Sequence, residues 1–128
     1  MCSPSIDQSG EKIWCGTGWT GQPAVFERGG RTWAVFGAYD RAVHFLDADT
    51  GQRLAPDVPT GDLIKGSVTS DADGYPLVYT GSRDNNLRVL SFDGDKPVEL
   101  WKLNAYAVKP VLWNDDWDGS PMMLGDYL

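Results

Sequence analysis

The sequence predicts an all-β protein built from four-stranded antiparallel sheets that repeat about every 44 residues. Three observations support this prediction. Glycine follows an apolar strand at Gly37, Gly81 and Gly125, and each is 44 residues from the last. The 128 residues include 15 Gly and 8 Pro, which favours many short strands joined by turns. The chain shows no helix signals.

The repeat fixes the predicted strands in chain order. Within each unit, short apolar runs partly alternate with polar residues, as half-buried antiparallel strands require. Gly-Gly and Asp-Gly pairs between the runs supply the positive φ that tight turns need. The strands are predicted near 22–27, 32–38, 42–47 and 52–55 in the first unit and near 66–70, 76–81, 86–92 and 97–103 in the second. A third unit is expected to hold two strands.

Such a repeat is typical of a β-propeller, which closes with roughly four to eight four-stranded blades. The chain supplies roughly 2.5 to 3 blades, and bare outer blades would expose their edges. We therefore expect an incomplete propeller, whose remaining blades lie elsewhere in a parent chain. The predicted divisions are the end of a preceding blade at 1–16, blades at 17–60 and 61–104, and the start of a further blade at 105–128.

One hairpin recurs with a recognisable sequence. It reads FLDADTGQRL at 45–54, VLSFDGDKPVELW at 89–101 and SIDQSGEKIW at 5–14. This pattern resembles the hairpin of pyrroloquinoline-quinone-type (PQQ-like) β-propeller repeats, roughly L-D-A-x-T-G-x-x-x-W. The resemblance implies that Trp14 and Trp101 dock blade against blade by stacking beside a neighbouring peptide plane. The first complete unit departs from the pattern, with Ala55 in the tryptophan position.

The same alignment pairs the two cysteines. A hairpin centred between Gln8 and Ser9 places residues whose numbers sum to 17 opposite one another, so Cys2 faces Cys15. The two readings are a cross-strand disulfide and a pair of reduced core thiols. An extracytoplasmic location, periplasmic or secreted, is favoured. The first residues do not resemble a secretory signal, so any export signal would lie outside this chain.

Two acidic segments of the form D-x-D-G-x-P are candidate calcium sites. Carboxylates at alternate positions before a glycine turn can wrap Ca²⁺, and the form is similar to the calcium-bearing hairpins of integrin-type propellers. The alternative is an ordinary solvated Asp-Gly turn, because each segment has only two or three carboxylates. The candidate ligands are Asp71 and Asp73 in one segment and Asp116 and Asp118 in the other.

No catalytic or cofactor-binding residue is predicted. His44 is the only histidine and aligns with Arg88 of the next unit, which predicts a solvent-facing strand residue. The net charge of −7 argues against nucleic-acid binding and favours a cationic or neutral partner. No apolar run is long enough to span a membrane.

The predicted function is a non-catalytic propeller scaffold of bacterial type that binds a protein or small-molecule ligand through one face. The alternative is a fragment of a PQQ-dependent quinoprotein oxidoreductase with its active site in other blades. That alternative would bring a vicinal cysteine pair, which this sequence does not contain. A glycan-binding propeller would repeat an exposed aromatic residue, whereas Trp19, Leu63 and Ala107 share a position and differ.

Overall fold

The computed structural model describes residues 2–7, 10–15, 20–108, 117–125 and 127–128. These residues form two four-stranded antiparallel sheets and a two-stranded hairpin, and they include no α-helix. The predicted all-β class with four-stranded antiparallel sheets is confirmed. Within the described residues the sheets do not close into a ring.

The described residues contain ten strands, followed by a short 3-10 turn. Most strand bounds lie within two residues of the predicted ones. The sixth strand is longer than predicted, because it pairs as far as Pro59, and the seventh is shorter. The sixth strand is an edge strand, so its two prolines can be accommodated there without the loss of a hydrogen bond to a neighbouring strand. The strands are β1 (Cys2–Asp7), β2 (Gly10–Cys15), β3 (Ala24–Arg28), β4 (Arg31–Gly37), β5 (Ala42–Asp47), β6 (Arg53–Pro59), β7 (Thr69–Ser70), β8 (Leu77–Ser82), β9 (Asn86–Ser91) and β10 (Val98–Asn104).

Each four-stranded sheet is a simple meander. The first has the order β3-β4-β5-β6 and the second has the order β7-β8-β9-β10. The alternation along β5 shows which face is inside, because Val43, Phe45 and Asp47 are buried while their neighbours are only half-buried. The apolar face of the first sheet therefore covers the second sheet.

Aromatic rings fill the space between the two sheets. Phe92, which follows β9, lies 5.5 Å from Phe26, 5.3 Å from Trp33 and 5.9 Å from Phe45 between ring centroids. Such tilted and offset contacts add to the apolar area that large rings bury. The buried residues of this single core are Ala24, Val35, Val43, Phe45, Ala55, Ile64, Val68, Val78, Leu90 and Phe92.

The same kind of hydrogen bond, from a backbone N–H to a serine hydroxyl, recurs just before the first strand of each sheet. The Gln22 N–H donates to the Ser67 hydroxyl over 2.9 Å, and the Ser67 N–H donates to the Ser120 hydroxyl over 2.9 Å. The glycines that precede these residues approach closely. A Cβ on Gly21 would lie 2.1 Å from the carbonyl oxygen of Gly66, and one on Gly66 would lie 2.2 Å from that of Gly119.

These two hydrogen bonds change the alignment predicted for the third unit. Gly119 and Ser120 take the position of Gly66 and Ser67, which are 53 residues earlier. Gly125 lies in a turn with φ +57°, but the described residues 117–124 before it form no strand, whereas Gly37 and Gly81 lie in β4 and β8. The described part of 105–128 has an isolated bridge instead of the two predicted strands. Residues 109–116 of this unit lie outside the described residues.

The hairpin β1–β2 has the register predicted from the sequence, with partners such as Cys2 and Cys15 whose numbers sum to 17. Its turn at 8–9 lies outside the described residues. The structure joins the two cysteines in a disulfide with an S–S distance of 2.06 Å. Both are exposed, so they are not core thiols. The buried Ser5 hydroxyl donates to Asp62 over 3.1 Å and ties the hairpin to the connection between the sheets.

Candidate binding face and ion networks

The hairpin turns of both sheets lie at one end of the molecule. In an antiparallel meander, alternate turns fall on the same side, and here these turns join β3–β4, β5–β6, β7–β8 and β9–β10. An ion pair links the two sheets at this end, with Arg28 Nη2 2.6 Å from Asp93 Oδ1. The guanidinium of Arg28 also lies 5.5 Å from the centroid of Phe92. We name this end the acidic turn face.

The acidic turn face carries more carboxylates than cations. Asp47 accepts backbone N–H bonds from Thr50 and Asp49 over 2.9 and 3.0 Å. The bond from Thr50 contributes most to holding the pKa of Asp47 below its ordinary value, despite desolvation. This carboxylate therefore stays ionised at neutral pH. The acidic residues are Glu27, Asp47, Asp49, Asp71, Asp73, Asp93 and Asp95, and the basic residues are Arg28, Arg31 and Lys96.

A small pocket of ≈ 80 Å³ opens between the turns of the two sheets. It combines the edges of aromatic rings with charged groups of both signs. Tyr75, at 66% exposed, is the most accessible aromatic residue beside it. The lining residues are Phe26, Glu27, Arg28, Ser70, Asp71, Gly74, Tyr75 and Phe92.

Asp71, the first candidate calcium ligand, is already bonded by its own turn. Its Oδ1 accepts the N–H groups of Asp73 and Tyr75 over 3.0 and 3.3 Å, and its Oδ2 accepts the Tyr79 hydroxyl over 2.7 Å. Burial, followed by this bond to Asp71, raises the pKa of Tyr79 to about 12. Asp73 is exposed at the tip. The geometry is that of an Asp-capped turn.

The second candidate segment lies at the opposite end of the sheets. Asp118 Oδ2 is 3.7 Å from Lys65 Nζ, and its Oδ1 is 3.9 Å from Arg83 Nε. Asp116 lies outside the described residues. The two D-x-D-G-x-P segments therefore share a sequence form but not a position in the fold. Gly74 lies in the connection between β7 and β8, whereas Gly119 immediately precedes Ser120, whose hydroxyl accepts the Ser67 N–H. Among the described residues no three metal-ligating side chains converge, and calcium binding stays a prediction.

A buried ion network sits where β8 turns into β9. Arg88 donates from Nη1 to Asp84 Oδ1 over 2.9 Å and from Nε to Glu99 Oε2 over 3.0 Å. The Asp84 carboxylate also accepts the Gly61 N–H over 2.8 Å, from the connection between the two sheets. Burial alone would raise the pKa of Asp84, but the bonds from Arg88 and Gly61 outweigh it, and the pKa lies below its ordinary value.

The first sheet has an equivalent network around His44. Its Nε2 lies 3.0 Å from Asp40 and its Nδ1 lies 3.2 Å from Asp57. Only 14% of the His44 side chain is exposed, so the prediction of a solvent-facing residue is wrong. Asp57 in turn lies 2.8 Å from Arg53. The histidine thus joins a turn carboxylate to a carboxylate on the edge strand, as Arg88 does in the second sheet.

These networks depend on a turn geometry that sequence reasoning missed. Arg41 and Asn85, which occupy equivalent positions 44 residues apart, have φ of +66° and +67°. The left-handed residue folds each turn back. The aspartate immediately before it therefore meets the side chain four residues further along the chain, Asp40 with His44 and Asp84 with Arg88. The available signal is the shared spacing of Asp40 with His44 and of Asp84 with Arg88.

The two predicted docking tryptophans have different surroundings. Trp14 makes an edge contact with Tyr39 at 5.3 Å, and Lys65 Nζ lies 4.8 Å from the centroid of its ring. It therefore packs against loops of both following units. Trp101 is 48% exposed and lines a cleft of ≈ 330 Å³ beside Trp117. Ala55, in the equivalent position of the first sheet, is buried in the core.

Comparison of the sequence with models of known protein families and with curated proteins finds no match. The resemblance to PQQ-like repeats therefore stays a prediction, and so does the quinoprotein alternative. Within the described residues, no helix combines the length and the apolar character needed to cross a membrane.

Proposed function

We propose that the chain forms consecutive blades of a β-propeller and acts as a non-catalytic scaffold that binds a ligand through its acidic turn face. The ligand class that fits best is a basic segment of a partner protein. The two parts of this proposal rest on different observations.

The repeated contact between inner strands supports the propeller. The Gln22 N–H donates to Ser67 and the Ser67 N–H donates to Ser120, and this repetition supports a regular relation between the two sheets and the segment around Ser120. Propeller blades have this arrangement. They are four-stranded meanders that stack face to face through aromatic cores, and their first strands follow one another in chain order. A similar sheet would cover the cleft beside Trp101, in the way that the second sheet covers the first.

The charge of the acidic turn face supports binding. Asp49, Asp73 and Asp95 are exposed at the tips of three turns, which a rigid double sheet holds at one end. Binding residues are commonly carried by loops that a scaffold positions. Complementary charge accelerates association and selects for basic partners. The pocket beside Tyr75 offers an aromatic contact within the charged surface.

A titration with an octalysine peptide tests the binding proposal. We expect amide signals of the four hairpin turns to shift in nuclear magnetic resonance spectra, and the affinity to fall as salt is added. The triple variant Asp49→Asn, Asp73→Asn, Asp95→Asn should weaken binding by roughly ten-fold or more, at about 0.5 kcal/mol for each exposed charge.

The matched control is Asp118→Asn, which removes a carboxylate at the opposite end of the sheets, beside Lys65 and Arg83. It should leave the affinity within about two-fold of the wild type. Binding that maps to the opposite end of the sheets, or that survives the triple variant, would refute the acidic turn face as the binding surface.

A further inference from the structure

β10 is the terminal strand of the second sheet, and its outer edge is open in the described part of the chain. It exposes large apolar side chains, with Val98 50% and Leu100 59% accessible. The edge strand of the first sheet is protected differently, because Pro56 and Pro59 in β6 have no N–H to offer. β10 contains no proline, so it keeps the donors that a further strand needs.

A bulge divides β10 into two matching halves. Glu99 pairs with Leu90 and Trp101 pairs with Val89, so Leu100 is the extra residue between them. The bulge also brings Glu99 and Lys102 to the same side, where Oε1 and Nζ are 3.3 Å apart. Reading outward from the bulge in either direction gives an apolar residue, a charged residue and an apolar residue.

We propose that β10 pairs antiparallel with β10 of a second copy of this chain, about a two-fold axis between Leu100 and Trp101. This register makes every cross-strand pair favourable. Val98 faces Leu103, Glu99 faces Lys102 and Leu100 faces Trp101, and the symmetry repeats each pair. The register partners of these residues on β9 place Val98, Trp101 and Leu103 on one face and Glu99 and Lys102 on the other.

The pairing joins two four-stranded sheets into one of eight strands and covers the apolar residues of an open edge. One pair of seven-residue strands buries less surface than a permanent dimer interface. The dimer is therefore expected to be weak and reversible. It uses the edge of β10 and not the turn tips that carry Asp49, Asp73 and Asp95, so the two proposals are tested by different variants.

Sedimentation equilibrium of the full chain tests the pairing. Lys102→Glu places two like-charge pairs across the axis and should raise the dissociation constant by roughly ten-fold or more. Lys96→Glu is the matched control, because it makes the same charge change in the exposed β9–β10 turn and should leave the dissociation constant within about two-fold.

Mixing two variants gives the decisive result. Glu99→Lys alone should also weaken self-association, but an equimolar mixture with Lys102→Glu should form a heterodimer, since each variant then presents the opposite charge to the other. Circular dichroism of each variant shows that the sheets are intact. If Glu99→Lys loses its fold through the lost contact to Arg88, Leu100→Lys takes its place and should abolish the dimer. A chain that stays monomeric at high concentration, or a dimer unaffected by these changes, overturns the proposal.

Discussion

The guanidinium of Arg88 lies against the carboxylate of Asp84, with 7% and 12% of the two side chains exposed. The same relationship occurs 44 residues earlier between His44 and Asp40. In each sheet a nitrogen-bearing side chain on the third strand joins the preceding turn to an acid on the edge strand. The repeated polar pairs therefore have a structural role, and they fix the turn that leads into the third strand.

Replacing Arg88 by Met should destabilise the protein by about 3–5 kcal/mol, because it leaves the Asp84 carboxylate buried without its main partner. Denaturant unfolding at neutral pH measures this loss. The folded-state pKa of Asp84 is below its ordinary value of 3.8, so the stability it contributes is present above that value and is lost as the pH falls below it. The difference between wild type and variant should accordingly shrink in acid. A constant difference down to low pH would contradict this account.

Replacing His44 by Arg should be tolerated within about 1 kcal/mol, because arginine performs the same role in the second sheet and can donate to both Asp40 and Asp57. His44→Ala, in contrast, should cost more than His44→Arg, since it leaves two half-buried carboxylates without the ring between them. The comparison uses the same denaturant unfolding. Equal losses in the two variants would show that ring packing against Phe36 matters more than charge.

The sequence predicts the meanders well because their information is local. Strand alternation and Asp-Gly or Gly-Gly turns act over a few residues, and the cross-strand register of β1–β2 follows from the position of one turn. Two features escape this reasoning. The connection before Gly119 is longer than its counterpart, which no local rule signals, and the bend at Arg41 needs a left-handed backbone that arginine rarely adopts. On a straight strand, residues i and i+4 are separated by about 13 Å. The ion pairs of Asp40 with His44 and of Asp84 with Arg88 therefore cannot be predicted unless the bend is known.

The disulfide can be checked by counting thiols. The denatured, unreduced chain should show no reactive thiol, and the reduced chain should show the two thiols of Cys2 and Cys15. The bridge closes a loop of about 14 residues, for which the chain-entropy account gives a stabilisation of roughly 3 kcal/mol. The double variant Cys2→Ser, Cys15→Ser should therefore lose amide protection first in β1 and β2. Unchanged hydrogen exchange in this hairpin would contradict the expected effect.

Gly66→Ala should destabilise the protein strongly, whereas Gly119→Ala should not. A Cβ on Gly66 meets the carbonyl oxygen of Gly119 at 2.2 Å, which only a shift of the backbone can relieve, while a Cβ on Gly119 has nothing within 4 Å. We expect a loss of about 2 kcal/mol or more for the first variant and less than about 0.5 kcal/mol for the second. Thermal unfolding compares them. If neither variant changes the stability, Gly66 and Gly119 do not approach each other as closely as the structure indicates.

The burial of Tyr79 and its bond to Asp71 should appear as an alkaline transition in the stability of the protein. The folded-state pKa of Tyr79 is raised from 10.0 to about 12, so the folded protein holds the phenolic proton more tightly than the unfolded chain does. The resulting stability is fully present below pH 10.0 and is lost as the pH rises toward 12. Tyr79→Phe keeps the buried ring and removes the proton, so its unfolding free energy should fall less than that of the wild type over this range. Parallel profiles for the two proteins would show that the hydroxyl titrates without restraint from burial or from Asp71.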